Sequence, residues 1–432
     1  MTRAIFEIKG IDLHVRKMGS GFPLVLFHDS PRSSRMMLEL AGELKDYFTL
    51  IMPDTPGSGL SDVVPHTPHT MAALIPYFKE LFAKMGLKKF GLYGKGTGAQ
   101  IAIRYSLIHP GQVEHLFLDD AIHLTDSQFD RIKKSYFPDL TPSYDGKHLM
   151  ETWTFIRDMH RYFPWFMREK KYRIELKEDT VYYRDYFLDM LDLGKYYKHA
   201  YSAAYNHAHL RNVEALKVKS SLFFDEGSRL YRLVKQLVDF KTIDNIDIID
   251  IPDSEEKRLE IMRYAFRSKL PQEKGDMAYF PPFVPHQGQG FAQVKSHNIH
   301  LWIEKGDDQM PLLLLPNPGE SAYIWKAHMN KFSEGRTCVL ISLPGQGESD
   351  YWEGCREEDE IDQVCHELMN SLGYNSFEIM HPGEPIPFFP IDPVDEYGAY
   401  SMKAWIQFRE IAGDDPDPER LQVILRERLK YV

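Results

Sequence analysis

Four short stretches of this chain hold residues that could do chemistry. They are His28-Asp29-Ser30-Pro31, Gly94-Lys95-Gly96-Thr97-Gly98, Asp119-Asp120 with His123, and Asp225-Glu226. Imidazole and carboxylate groups move protons when their pKa values are tuned toward the working pH, so His28, Asp29, Asp119, Asp120 and Asp225 are candidate acids and bases. Each has a quieter reading. His28 and Asp29 read equally as a loop hydrogen-bond pair, and one of Asp119 and Asp120 as a cap on the next segment. Lys95 reads as a solvated charge or a ligand contact, and Thr97 as a backbone amide and helix-start cap. A second group is aromatic: Trp153, Phe155, Tyr162, Phe163 and Trp165, with Arg157 among them. Trp153 and Arg157 sit four apart on one helix face, for packing, a salt bridge or ligand contact. Ser30, His123, Trp153, Arg157, Phe163 and Trp165 are the expected ligand-binding residues.

The elements that must position these groups read as a parallel sheet. Pro23–Phe27, Phe48–Met52, Lys89–Tyr93, Val113–Leu118, Ser220–Phe224 and Ile246–Ile251 are strand-like runs, most of them apolar on successive residues, which suits strands buried on both faces. Helix-like stretches, Arg35–Leu44, Met71–Met85, Ala99–His109 and Glu255–Phe266, separate or follow them. Alternating strand and helix predicts a doubly wound α/β sheet. Ligands of such sheets sit at the carboxyl ends of the strands, which would gather the four polar stretches around one cavity. The aromatic, helix-like segment from about Phe137 to His209 would cover it, and an aromatic cavity with a few convergent polar groups suits a small organic molecule.

Composition narrows the partners. With 52 basic and 63 acidic residues in 432, the formal net charge is −11. That balance argues against a general binder of nucleic acid or anionic membrane. No stretch approaches the roughly 20 apolar residues of a membrane span. Met1–Gly10 does not read as a signal peptide, so a cytoplasmic location is expected. Cys338, Cys355 and Cys365 make neither a disulfide framework nor a zinc site and read as reduced, inert thiols. No metal and no cofactor is expected, and the expected partner is a small-molecule ligand or substrate.

The chain also repeats itself. Pro23–Asp62 aligns without a gap on Pro311–Asp350, at an offset of 288. Pro56-Gly57-Ser58-Gly59-Leu60-Ser61-Asp62 and Pro344-Gly345-Gln346-Gly347-Glu348-Ser349-Asp350 share five residues of seven. Gly146, Trp153 and Arg157 correspond to Gly398, Trp405 and Arg409. Roughly 35 residues, the counterparts of Ala99 through about Lys134, are missing from the second copy. A fuller and an abbreviated copy are therefore expected. The abbreviated one should dock on the first or form a homodimer surface, since its sheet edges need cover.

Three of these motifs resemble the α/β-hydrolase superfamily. His28-Asp29-Ser30-Pro31 resembles its His-Gly-x-Pro oxyanion-loop element. Pro53-Asp54-Thr55-Pro56-Gly57-Ser58-Gly59-Leu60-Ser61 resembles its Pro-Asp-x-Pro-Gly-x-Gly-x-Ser turn, and Gly94–Gly98 stands at the nucleophile elbow. Asp145-Gly146-Lys147-His148-Leu149, with Trp153, Arg157 and Phe163-Pro164-Trp165, resembles a bacterial branch of hydrolase-like proteins. The resemblance implies an α/β-hydrolase fold with a helical lid, followed by a second, truncated α/β-hydrolase-like repeat. The boundaries are 1–136 for the first part of the core, 137–210 for the lid, 211–268 for the last strands, 269–292 for a linker and 293–432 for the repeat.

The departures matter as much. Gly96 stands where the family's serine nucleophile would, and Gly383 stands there in the second copy. No histidine occurs between His209 and His286, so the family's histidine has only His286 as a late substitute. Asp29 replaces a glycine, and its charge would repel a developing oxyanion by several kcal/mol. Serine acyl transfer is therefore not expected. Two classes remain open: an enzyme without a nucleophile (a lyase or isomerase using acid–base residues) and a binding or scaffolding pseudoenzyme. A hydrolase of esterase or epoxide-hydrolase type with a relocated catalytic residue stands third.

Overall fold

The computed structural model describes residues 1–65, 70–174, 180–239, 246–272, 279–280, 287–317, 320–333, 335–353, 358–382, 391–412 and 417–430. Two of the residues weighed above, His286 and Gly383, lie outside the described residues, as does Cys355.

Two compact units form. The first comprises Met1, Phe6–Thr141 and Met150–Phe280; the second comprises Thr2–Ile5, Pro142–Leu149 and Pro281–Val432. The first sheet has eight strands: β1 (Thr2–Ile8), β2 (Ile11–Met18), β3 (Phe22–Phe27), β4 (Phe48–Pro53), β5 (Phe90–Lys95), β6 (Val113–Asp119), β7 (Ser220–Asp225) and β8 (Ile246–Ile251). Their order is β1-β2-β4-β3-β5-β6-β7-β8. β2 runs antiparallel to β4, and all pairs from β4 through β3 to β8 are parallel. The central strands are buried on both faces because their side chains are apolar on both: every residue of β4 is buried. On one face, Leu24, Leu50, Tyr93, Phe117 and Phe223 pack against Met262 and Phe266 of the helix Glu255–Lys269. Each such side chain contributes about 1.5–3 kcal/mol by leaving water.

The expected helix Arg35–Leu44 forms in two parts, a 3-10 turn Ser34–Met37 and a helix Leu38–Leu44. The turn is tight because Asp54 captures the Ser34 amide at 2.7 Å while Met36 N–H reaches back to the Ser33 carbonyl. Five helices are inserted between β6 and β7: Asp126–Ser135, Lys147–Arg161, Thr180–Leu193, Lys198–His207 and Leu210–Glu214. The first of them begins before the helix-like segment expected from about Phe137. Its sequence is mostly polar, and a Thr125–Gln128 capping box rather than an apolar stripe marks its start.

The second sheet, in the second unit, has five strands: β9 (Gly288–Val294), β10 (His297–Glu304), β11 (Asp307–Leu314), β12 (Arg336–Ile341) and β13 (Glu378–Met380). Read from β9, the order is β9-β10-β12-β11-β13, the order of the first five strands of the first sheet. Turn hydrogen bonds recur as well. Gly57 N–H donates to the Asp62 carbonyl at 2.9 Å, and Gly345 N–H to the Asp350 carbonyl at 2.9 Å. His14 N–H donates to Ser61 Oγ at 3.0 Å, and His300 N–H to Ser349 Oγ at 2.9 Å. Cys338 and Cys365 are buried in this unit, and burial pushes the Cys338 thiol up to about 12.

Candidate functional site

β5 ends in a strand-to-helix turn at Gly96, whose φ of 53° and ψ of −111° suit glycine alone. The helix Thr97–Ile108 follows. Its first turn lies so close to β3 that a Cβ on Gly98 would come within 2.3 Å of the Phe27 carbonyl oxygen. The space a side chain at 96 would enter is already taken. A Cβ there would lie 2.1 Å from Asp29 Oδ1 and 2.8 Å from Oδ2.

Asp29 reaches this place from the loop after β3. Its Oδ1 accepts the amide hydrogens of Ser30 and Thr97, each at 2.8 Å, and its Oδ2 accepts from Arg229 Nη2 at 3.1 Å. A carboxylate on the first amide of a 12-residue helix is well placed against the helix dipole. Thr97 therefore supplies its amide as expected, but Asp29, from a distant segment, does the capping. In a nucleophile elbow, the amide after the elbow residue and an amide of the loop after β3 bind the oxyanion. Here both amides hold the chain's own carboxylate.

Beside it lies a buried ionic cluster at the carboxyl ends of β5, β6 and β7. Asp119 Oδ2 accepts from Tyr93 Oη at 2.7 Å, Lys95 Nζ at 3.1 Å and Arg258 Nη2 at 2.6 Å. Lys95 also pairs with Asp120 at 3.0 Å, Arg258 Nε with Asp225 at 2.8 Å, and Ser228 Oγ donates to Asp120. Burial pushes the Asp119 carboxyl up, but the charges of Lys95 and Arg258 outweigh it and hold the group below the usual carboxylate range. At Asp225 burial wins over Arg258, and the carboxyl is pushed up. Two carboxylates driven apart in this way are the raw material of an acid and a base.

A cavity of about 400 Å³ opens between these groups and the helices inserted between β6 and β7. Asp29, Lys95, Asp120 and Asp225 line it, and His160, Tyr182 and Tyr186 come from the helices Lys147–Arg161 and Thr180–Leu193. His160 Nδ1 lies 2.8 Å from the Ile156 carbonyl of its own helix. That bond puts the proton on Nδ1 and leaves Nε2 an acceptor, which has no hydrogen-bond partner among the described residues. Burial, then the charges of Arg229 and Arg32, push its pKa down to about 3. A histidine whose folded pKa lies below its unfolded value near ~6.5 stabilises the fold above that pH and loses the contribution as pH falls. Between pH 7 and pH 5 the loss is about 2 kcal/mol. Urea unfolding of His160→Phe is expected to show a correspondingly shallower acid slope. A slope equal to the wild type's would mean that His160 protonates freely in the fold.

No family model matches the chain. A soluble epoxide hydrolase of Corynebacterium sp. (strain C12) is 33% identical over 115 residues, 27% of this chain and 40% of that protein. A fluoroacetate dehalogenase of Burkholderia sp. is 27% identical over 124 residues, 28% of this chain and 41% of that protein. The match thus spans about two fifths of the length of these curated relatives. A solved thermophilic esterase of Thermogutta terrifontis covers 62% of this chain and 97% of its own, at 19% identity and a TM-score of 0.47. This likeness to curated relatives stands beside the chain's own eight-strand order, in which β2 is antiparallel to β4 and the strands from β4 to β8 are parallel. The chain belongs to the α/β-hydrolase superfamily.

Within this superfamily member, the expected site residues divide. Asp29, Lys95, Asp120 and Asp225 face one cavity. Asp119 lies beneath, fully buried. His28 does not contribute a free imidazole: Nε2 accepts the Thr55 amide at 2.9 Å, and Nδ1 lies 2.8 Å from the Asp29 carbonyl, so both nitrogens hold backbone. Ser30 acts through its amide. His123 Nδ1 accepts the Leu210 amide at 3.1 Å, away from the cavity lining. Trp153 is fully buried against Phe187 and Tyr183, with ring centroids 5.5 and 6.5 Å away. Arg157 bonds Asp158 at 3.1 Å, and Trp165 Nε1 donates to the Tyr136 carbonyl at 2.8 Å. Phe163 lines a different cavity, beside the helix Tyr231–Asp239. Arg229, Arg258 and His160 were not singled out from sequence. Only the demand that a buried Asp29 and Asp119 each find a cation could have pointed to the two arginines.

Proposed function

We propose that the chain binds a small organic molecule in the cavity under its lid and does not perform serine acyl transfer. The observation that carries this reading is the Asp29 carboxylate, which occupies both the space of an elbow side chain and the amides that would hold an oxyanion. A substrate carbonyl would have to displace a carboxylate ion-paired to Arg229 before those amides could stabilise anything. The small-molecule character of the ligand is supported by the names of the curated relatives, a soluble epoxide hydrolase and a fluoroacetate dehalogenase. The wild-type protein is expected neither to hydrolyse aryl esters above background nor to be labelled by a fluorophosphonate. Turnover abolished by a serine- or carboxylate-directed probe would sink this reading and put a nucleophile elsewhere.

A second reading, acid–base turnover without a nucleophile, is favoured by one observation. The cavity pairs a carboxyl pushed up at Asp225 with an unpartnered acceptor at His160 Nε2. As for the origin of the second unit, the shared strand order and recurring turn hydrogen bonds support a tandem duplication. In that account the second unit is the abbreviated copy with a structural job.

A further inference from the structure

A second cavity, of about 610 Å³, lies in the first unit between the lid segment 163–174 and the helix Tyr231–Asp239. We propose that it is a binding site for an organic anion, a carboxylate or phosphate ester carried on an apolar body. Its charge is the first argument. Arg131, Lys170, Lys171, Arg173, Arg229 and Arg232 line it, against one carboxylate, Glu226, among the described residues. This concentration of cations stands in a chain whose net charge is −11, so the cavity draws anions that the rest of the surface repels.

The cations are also available. Lys171 pairs with Glu169 at 3.0 Å, and Arg229 pairs with Asp29. Among the described residues, Arg131 reaches only Tyr172 Oη at 3.4 Å and Met167 Sδ, and Arg232 only the Lys171 carbonyl at 3.2 Å. Neither has a carboxylate partner among the described residues. The second, independent argument is Arg229. Its side chain is nine-tenths buried, and it lines this cavity and the one under the lid. Nη2 is engaged by Asp29, while Nη1 has no hydrogen-bond partner among the described residues. A buried guanidinium with an unused donor calls for an acceptor. The apolar body is specified by the walls, where Ile132, Phe163, Tyr231 and Leu233 stand between the charges.

The test is calorimetric titration of the full chain with hexyl phosphate, hexanoate, hexanol and inorganic phosphate. At least one of the two tailed anions is expected to bind about tenfold or more tighter than hexanol, and also tighter than inorganic phosphate. The difference between hexyl phosphate and hexanoate identifies the anion. Raising salt from about 50 to about 500 mM is expected to weaken the tailed anion and leave hexanol unchanged. Arg131→Glu and Arg232→Glu, both at exposed positions, are each expected to weaken it about tenfold with an unchanged melting temperature. Equal affinity for hexanol, no salt dependence, or full affinity in both folded variants would each overturn the proposal. If a variant does not fold, the salt series on the wild type decides.

Discussion

Gly96→Ala is expected to destabilise the protein by about 3 kcal/mol, the sum of a strained backbone and a steric conflict. The backbone part follows from a φ of 53° with ψ of −111°, which a β-carbon disfavours. The steric part follows from the Asp29 carboxylate, whose three outer atoms would lie 2.1, 2.4 and 2.8 Å from that β-carbon. Asp29 cannot step aside cheaply. Two amides and Arg229 hold it, and each would lose its partner. Asp29→Ala is itself expected to cost about 3 kcal/mol, because it leaves a guanidinium buried without its counter-charge. The double variant, however, has no clash, so it should cost about 2 kcal/mol less than the sum of the singles. Denaturant unfolding of the four proteins measures this coupling. Additivity within about 0.5 kcal/mol would mean that Asp29 does not fill the elbow.

Arg258→Met should cost about 3 kcal/mol at neutral pH, toward the lower end for breaking a buried ion pair because the side chain is 24% exposed. Its guanidinium holds Asp119 at 2.6 Å and Asp225 at 2.8 Å; without it Asp119 and Asp120 keep Lys95, and Asp225 has no other ion-pair partner among the described residues. The pH dependence is distinctive. Asp119 is held below its ordinary range, so its stabilising contribution is present above pH ~4 and is lost as pH falls through its folded pKa. The penalty of the substitution should therefore shrink in acid, when Asp119 takes up a proton in either protein. Unfolding curves from pH 7 to pH 3 check this, and a penalty that stays constant would show that the pair with Asp119 does not carry the effect.

Much of the fold could be read locally. Runs such as Leu24–Phe27 are apolar on successive residues, and that pattern alone demands a strand covered on both faces. The Pro56–Asp62 turn was equally legible, because the backbone at Gly57 and Gly59 takes φ values of 82° and 54° that favour glycine. The segment from about Phe137 to His209 was legible as helix-rich but not in its packing. Trp153 reads as a pocket aromatic until its burial against Phe187 is seen, since a helix face does not say what it packs on. His28 reads as a base until both nitrogens prove to be bound to backbone.

The amino-acid sequence by itself determined the alternation of strand and helix, the missing side chain at position 96 and the doubling of one turn motif, because each depends on residues adjacent in the chain. Only the tertiary structure decided what stands in place of the missing side chain. The role of a carboxylate is set by the donors that reach it. Beyond the neighbouring Ser30, those of Asp29 come from Thr97 and Arg229, on two distant segments that meet it only when the sheet assembles. The same holds for Asp119, whose partners Tyr93, Lys95 and Arg258 are gathered from two other elements. In sequence Asp29 looked like a flaw in an oxyanion loop; in space it fills that loop's empty centre.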